Sequence, residues 1–148
     1  PIIMASVSTY LNFTNYTEEA FNFYKTVFGG EFTAPGIRRM GDMPEQEGMP
    51  PVNDELKNLV MHVELPITGG HKLMGTDAPE QMGFSVSFGN NLYINLQPDT
   101  RKETNQLFTA LSKGGKVEME LQDMFWGDYF GCCKDKFGVQ WMFTCTQK

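Results

Sequence analysis

His62 and Glu64 stand on either side of Val63 in the run Leu59 to Leu65. There Leu59, Met61, Val63 and Leu65 alternate with Val60, His62 and Glu64. Successive side chains of a strand point to opposite faces. An imidazole and a carboxylate therefore share one face, and apolar residues hold the other. An imidazole titrates near neutrality, which makes His62 a candidate base or donor lining a ligand cleft. The competing account is a solvated or hydrogen-bonded strand histidine. His71 follows Gly69-Gly70 and is expected at a surface turn. His62, Glu64, His71 and Asp77 would supply metal donors, but their spacing matches no recognised metal motif.

A second group is aromatic. Phe125, Trp126, Tyr129, Phe130 and Trp141 gather in one segment, which holds both tryptophans of the chain. Such a wall stacks a planar or apolar ligand; the same residues also serve as core or interface. Trp141 and Phe137 read as core. Trp126, beside Gly127 and Asp128 at a turn, is the best pocket candidate, with Phe125 and Tyr129 next to it. Ten methionines are a third resource, because Met adapts to irregular shapes in cores and on permissive binding surfaces. Met43 and Met49 lie in a loop, are harder to explain as core, and are candidates to line a lid if that loop is one. A nucleophile is not evident. No Gly-x-Ser-x-Gly elbow or phosphate-binding loop occurs, and Cys132 and Cys133 have only Lys134 beside them.

The elements that must position these residues repeat. A strand is expected at about 4–13, then a helix begun by an Asn15–Glu18 capping box and ended by Gly29-Gly30. Strands follow at about 31–39, 59–65 and 71–76, with a Pro-rich loop across 41–58 that is either a lid or a surface insertion. The second half runs through a strand at 91–97, a helix opened by Thr100 and Glu103 and closed by Gly114-Gly115, and strands at 116–122, 129–134 and 139–146. Aligning the Gly-Gly pairs places Leu11 on Leu96, Phe23 on Phe108 and Phe32 on Val117. Each half is β-α-β-β-β. The expectation is one α+β domain of two modules, about 4–79 and 84–147, whose curved mixed sheet surrounds a cleft, the default place for a ligand.

Composition narrows the partners. The chain has 148 residues, 41% hydrophobic and 20% charged, which suits a globular domain. Lys and Arg number 12 against 18 Asp and Glu, so the net charge of −6 disfavours nucleic acid. No apolar run approaches the roughly 20 residues of a membrane span. The first residues lack a basic region of secretory type, so no export signal is expected. Three cysteines make no disulfide framework, and a reducing, cytoplasmic setting is expected.

The runs Tyr10-Leu11-Asn12-Phe13, Ala20-Phe21-Asn22-Phe23-Tyr24 and Val27-Phe28-Gly29-Gly30 resemble the opening of the vicinal oxygen chelate superfamily. That superfamily includes glyoxalase I, bleomycin-resistance proteins and extradiol dioxygenases. Three further segments resemble its PhnB-like branch: Val60-Met61-His62-Val63; Leu73 to Pro79; and Phe125-Trp126-Gly127 through Phe130-Gly131, Asp135 to Val139 and Trp141-Met142. The resemblance implies paired βαβββ modules, usually as a homodimer. In metal enzymes of the superfamily, His, Gln or Glu from the first and last strands of each half hold one divalent ion. Carried over position by position, those sites fall on Thr9, Met74, Met142 and one of Tyr93, Ile94 or Asn95. Thr and Met are poor ligands for such an ion, so no metal and no cofactor are expected. PhnB-like sequences are often labelled demethylubiquinone methyltransferases. The glycine-rich strand-to-helix turn typical of nucleoside cofactor sites is missing here. The favoured function is a small-molecule binding protein whose candidate cleft residues are Thr9, His62, Glu64, Met74, Phe125, Trp126, Tyr129 and Met142. The alternative is a glyoxalase- or dioxygenase-like enzyme with a non-standard metal site.

Overall fold

The computed structural model describes residues 4–44, 47–48 and 52–146. The chain divides into two units, residues 1–86 and 87–148. The first contains strand β1 (Thr9–Phe13), helix α1 (Thr17–Phe28), and strands β2 (Arg38–Arg39), β3 (Val60–Pro66) and β4 (Lys72–Asp77). The second contains β5 (Ile94–Leu96), α2 (Arg101–Ser112), β6 (Lys116–Asp123), β7 (Tyr129–Lys134) and β8 (Gln140–Cys145). The strands form two four-stranded mixed sheets, one per unit, with spatial orders β1-β4-β3-β2 and β5-β8-β7-β6. The first and last strands of each unit pair in parallel and the other neighbours antiparallel. The repeat expected from the two Gly-Gly pairs is thus a repeat of topology.

In the first unit α1 lies on β3 and β4. Phe21 and Tyr24 of the helix are fully buried, as are Val63, Leu65 and Leu73 of the sheet. Each such side chain removed from water contributes on the order of 2 kcal/mol. The approach is close because Gly75 has no side chain: a Cβ there would stand 2.5 Å from the Phe21 ring. In the second unit α2 covers Trp141 and Phe143, and Phe108 meets Phe143 edge-on at 5.2 Å. Gly115 has a comparable reason, since a Cβ there would lie 2.2 Å from the Lys134 carbonyl.

Two buried carboxylates fix the joints. Asp77, at the end of β4, accepts the Thr17 amide at 3.0 Å on one oxygen and the Val60 amide at 2.8 Å on the other. It therefore caps α1 and holds the start of β3 together. Asp135 accepts the Phe137 and Val139 amides at 2.8 and 3.1 Å and the Trp141 indole N–H at 2.9 Å, which closes the β7–β8 turn.

Several expectations need correction. The Asn15–Glu18 capping box does not form: the cap position is Tyr16, without a side-chain bond, and the tertiary Asp77 bond replaces it. Glu18 instead forms a two-pronged ion pair with Arg39, at 2.9 Å for each oxygen. That bond holds the Glu18 carboxyl below its ordinary value. The strand expected at 31–39 shrinks to two residues. Thr33 makes one bond to the Glu64 carbonyl, after which the chain turns with Gly36 bonded back to Thr33. Pro35 has no N–H to continue the ladder. The first strand is shorter than 4–13 because β4 offers partners only from Leu73 to Asp77. The strand expected at 91–97 narrows to Ile94–Leu96, the residues that pair with β8. The Thr100 cap holds: its hydroxyl accepts the Glu103 amide at 3.1 Å.

Asp77→Ala would leave two buried amides without acceptors. We expect it to lower unfolding stability by roughly 3 kcal/mol. Urea denaturation followed by circular dichroism tests this, and a loss below about 0.5 kcal/mol, typical of a surface site, would refute the joint.

Candidate functional site

Each sheet has a helix-covered side and an open side, and strand alternation assigns every side chain to one of them. In the first unit Thr9, Leu11 and Phe13 pair with Leu73, Gly75 and Asp77, and Gly75 faces Phe21 of the helix. That set is the covered side. The open side therefore carries Tyr10, paired with Met74, which is in turn paired with Glu64. His62 is on the same side two residues from Glu64, and Arg38 of β2 pairs with it.

Side-chain bonds organise this row. The Tyr10 hydroxyl lies 2.9 Å from Nδ1 of His62, with ring centroids 5.6 Å apart. The Ser8 hydroxyl donates to the Met74 sulfur at 3.8 Å. Lys72 pairs with Glu64 at 3.5 Å, the carboxylate being largely covered and the ammonium half open. Partial burial raises the Tyr10 phenol above its usual value, so it stays a neutral donor at physiological pH. The face offers a phenol–imidazole pair beside a polarisable thioether, with cations at Lys72 and Arg38.

The second unit repeats the plan. Asn95 pairs with Met142, which pairs with Cys132, which pairs with Met119. Met142 thus occupies the place of Met74, and Asn95 that of Tyr10. The Thr144 hydroxyl donates to the Asn95 side chain at 3.1 Å. Trp126 is half exposed, donates its indole N–H to Asp128 at 2.9 Å, and meets Phe125 and Phe130 edge-on at 4.9 and 6.3 Å. Phe125 is 97% exposed, an apolar ring with almost no cover of its own.

Of the residues singled out from sequence, His62, Glu64 and Met74 come together on one open face. Met142 lies on the open face of the other unit, and Phe125 and Trp126 form an aromatic cluster in that unit. Thr9 does not belong with them: it is on the covered side, with its hydroxyl 2.9 Å from Nε2 of His71. His71 is accordingly half-buried rather than a free surface residue. Tyr129 also turns away, since its ring lies under the Arg101 guanidinium at 4.4 Å and its hydroxyl donates to Asn105 of α2 at 2.6 Å. Among the lid candidates, Met43 is half-buried and Met49 falls outside the described residues. Tyr10 was missed as a site residue. The signal for it was present in the strand alternation, but choosing the face required the partner strand. Of Tyr93, Ile94 and Asn95, pairing selects Asn95 for the row with Met142.

These rows test the divalent ion that the superfamily resemblance implies. The equivalent strand positions hold a phenol, an amide and two thioethers: Tyr10, Asn95, Met74 and Met142. Thioethers and a neutral phenol are poor donors for a hard or borderline divalent ion, which leaves the Asn95 amide oxygen alone, so this set does not fit. The nearby candidates are already engaged separately, His62 with Tyr10, His71 with Thr9, Glu64 with Lys72 and Asp77 with two amides. Among the described residues, no group of three or more His, Cys, Asp or Glu is placed to hold a metal ion. No helix among them is long and apolar enough to cross a membrane.

The chain matches the family described as 3-demethylubiquinone-9 3-methyltransferase over residues 5–144. It is 33% identical to protein PA1353 from Pseudomonas aeruginosa, whose crystal structure superposes with a TM-score of 0.81 over 98% of this chain and 100% of that one. It is 25% identical to a putative 3-demethylubiquinone-9 3-methyltransferase, PhnB protein, from Bacillus cereus, with a TM-score of 0.72 over 95% and 99% of the two chains. A glyoxylase/bleomycin resistance protein/dioxygenase domain from Frankia sp. EAN1pec shares the fold with a TM-score of 0.65 at 8% identity, covering 99% of this chain and 95% of that one.

The Tyr10 phenol should ionise above its ordinary value of 10.0. Subtracting the near-ultraviolet pH titration of Tyr10→Phe from that of the wild type isolates it. The folded state keeps this proton where the unfolded state has lost it, so stability should fall as pH rises through 10 and onward, and less steeply in the variant. A difference titration centred below 10 would contradict the burial of this group.

Proposed function

The chain belongs to the family described as 3-demethylubiquinone-9 3-methyltransferase, in its PhnB-like form with the glyoxalase/bleomycin-resistance fold, and from that premise we propose that it binds a small planar or apolar organic molecule without a divalent metal. The observation that carries this proposal is the row Tyr10–Met74–Glu64 with His62 bonded to Tyr10. A thioether makes a soft, adaptable floor for a flat ring. The phenol and imidazole beside it are directional partners for one carbonyl, phenol or carboxylate oxygen on that ring. The exposed Phe125–Trp126 pair supports the same preference for aromatic surface.

Methyl transfer, which the family description names, finds little support in these residues. Thr14, Asn15 and Tyr16 form the turn from β1 to α1, where a nucleoside-binding fold places glycines. The first helical amide there is already bonded to Asp77. Cys132, Cys133 and Cys145 form no disulfide, which suits a cytoplasmic protein. A homodimer belongs to the same proposal. Met82, Phe84, Phe88 and Leu92 are all exposed along one connecting segment, apolar surface of the kind that association covers.

Two measurements test the proposal. Planar aromatic compounds bearing one carbonyl, phenol or carboxylate should raise the melting temperature, whereas zinc, nickel, manganese and ferrous iron should not. For the best compound, Tyr10→Phe, Met74→Ala and Trp126→Ala should each weaken affinity about tenfold, roughly 1.4 kcal/mol, with circular dichroism unchanged. Unaltered affinity in all three would refute the assignment, and stoichiometric binding of one of those metals would favour the glyoxalase- or dioxygenase-like enzyme. Light scattering should report twice the chain mass of 16.8 kDa; a value at that mass would refute the dimer.

A further inference from the structure

Arg38 of β2 carries a guanidinium that no carboxylate answers. It is exposed, and among the described residues its side chain makes no ion pair or hydrogen bond. Its side of the sheet is fixed by two separate observations. Arg38 pairs directly with His62, whose Nδ1 meets the Tyr10 hydroxyl on the open side. Its neighbour Arg39 reaches the other way, to both oxygens of Glu18 on α1. Successive strand residues point to opposite faces, so Arg38 points away from the helix. The irregularity in this pairing falls between Arg38 and Arg39, beyond the Arg38–His62 pair. We propose, resting on the organic-ligand function inferred for the same face, that its ligand is an aromatic carboxylate and that Arg38 selects it by binding the carboxylate.

Charge favours an anion on this face. Lys72 and Glu64 answer each other at 3.5 Å. Glu64 is the only carboxylate among the described strand residues of this side. Arg38 is left as an uncompensated cation, on a chain whose net charge is −6. The donors favour a carboxylate in particular. A neutral imidazole and a neutral phenol each hold one proton on a polar atom, and one of the two is spent on the bond between them. The other points away from the pair, whichever partner donates. The Tyr10–His62 pair therefore offers one outward N–H or O–H beside the guanidinium. A guanidinium is planar, permanently charged, and grips both oxygens of a carboxylate in a fork. One fork and one further donor match two oxygens that share a single negative charge. A neutral amide of the same shape would turn an NH2 group toward the guanidinium, donor against donor. The ring has its place too. β2 is the outer strand, and Met74 stands two strands inward on β4. A carboxylate held at the rim thus directs its ring over the adaptable thioether.

The test is calorimetric titration of the full chain with benzoate, 2-naphthoate and indole-3-carboxylate, each against its own neutral amide. The best acid should bind roughly tenfold tighter than its amide. Arg38→Gln should erase that preference: the dissociation constant of the acid rises about tenfold and that of the amide stays the same. Circular dichroism should not change, because the side chain is exposed. Added salt should weaken the acid and spare the amide. Met74→Ala should weaken acid and amide alike, since it removes contact with the ring and not with the charge. Equal affinity for acid and amide, or a preference that survives in Arg38→Gln, would overturn the carboxylate assignment and leave an organic ligand in place. Binding of neither the acids nor the amides would overturn the organic-ligand function and this assignment with it, so the two failures are distinguishable.

Discussion

One buried carboxylate organises the first unit. Asp77 ends β4, and its two oxygens reach the first amide of α1 and the first amide of β3. A negative charge at a helix N-terminus also meets the positive end of the helix dipole. Through these bonds the position of the helix is set by the sheet it covers. The helix then closes down on Gly75, where the Phe21 ring fills the space a side chain would need. The covered side is therefore committed to packing, and whatever chemistry the unit performs is left to the opposite face, with Tyr10, Met74, Glu64 and His62.

The second unit reaches the same topology through a different joint. Asp135 gathers two turn amides and the Trp141 indole at the β7–β8 connection, and α2 is capped by its own Thr100. What the two units share is the row across the open face. Its centre is a thioether in both, Met74 and Met142. The flanking partners differ, phenol and carboxylate in one row, amide and thiol in the other. One backbone plan thus presents a polar, hydrogen-bonding row in the first unit and a sulfur-rich row in the second. Divergence after repetition of a module, with the packing side held and the open side free, would produce this distribution.

Element order was legible because its signals are local. Gly29 and Gly114 mark the helix ends, Thr100 and Glu103 mark a start, and alternation from Val60 to Leu65 marks a strand. The failures occurred where a distant residue won. Asn15 and Glu18 have the right spacing for a cap, yet Asp77 takes the amide and Arg39 takes the carboxylate. The stretch 31–39 has strand-forming residues, but a neighbouring strand accepts only two of them into its ladder. Periodicity within one strand put His62 and Glu64 on one face; Met74 came from the resemblance, and its place beside Glu64 follows from strand pairing. Thr9 and Tyr10 could not be separated in that way.

By itself the sequence determined the two βαβββ modules, the aromatic cluster around Trp126 and the absence of hard-ion donors at the expected strand positions. Those properties depend on residue type and on short-range period, which the chain carries in any conformation. Only the tertiary structure decided which side of each strand is open, that Tyr10 rather than Thr9 stands beside Met74, and that Cys132 stands beside Met142. The reason is register: a shift of one residue in strand pairing moves a whole set of side chains to the other face. That shift is fixed by partners some 60 residues away, such as Tyr10 with Met74, and leaves no mark within the strand itself.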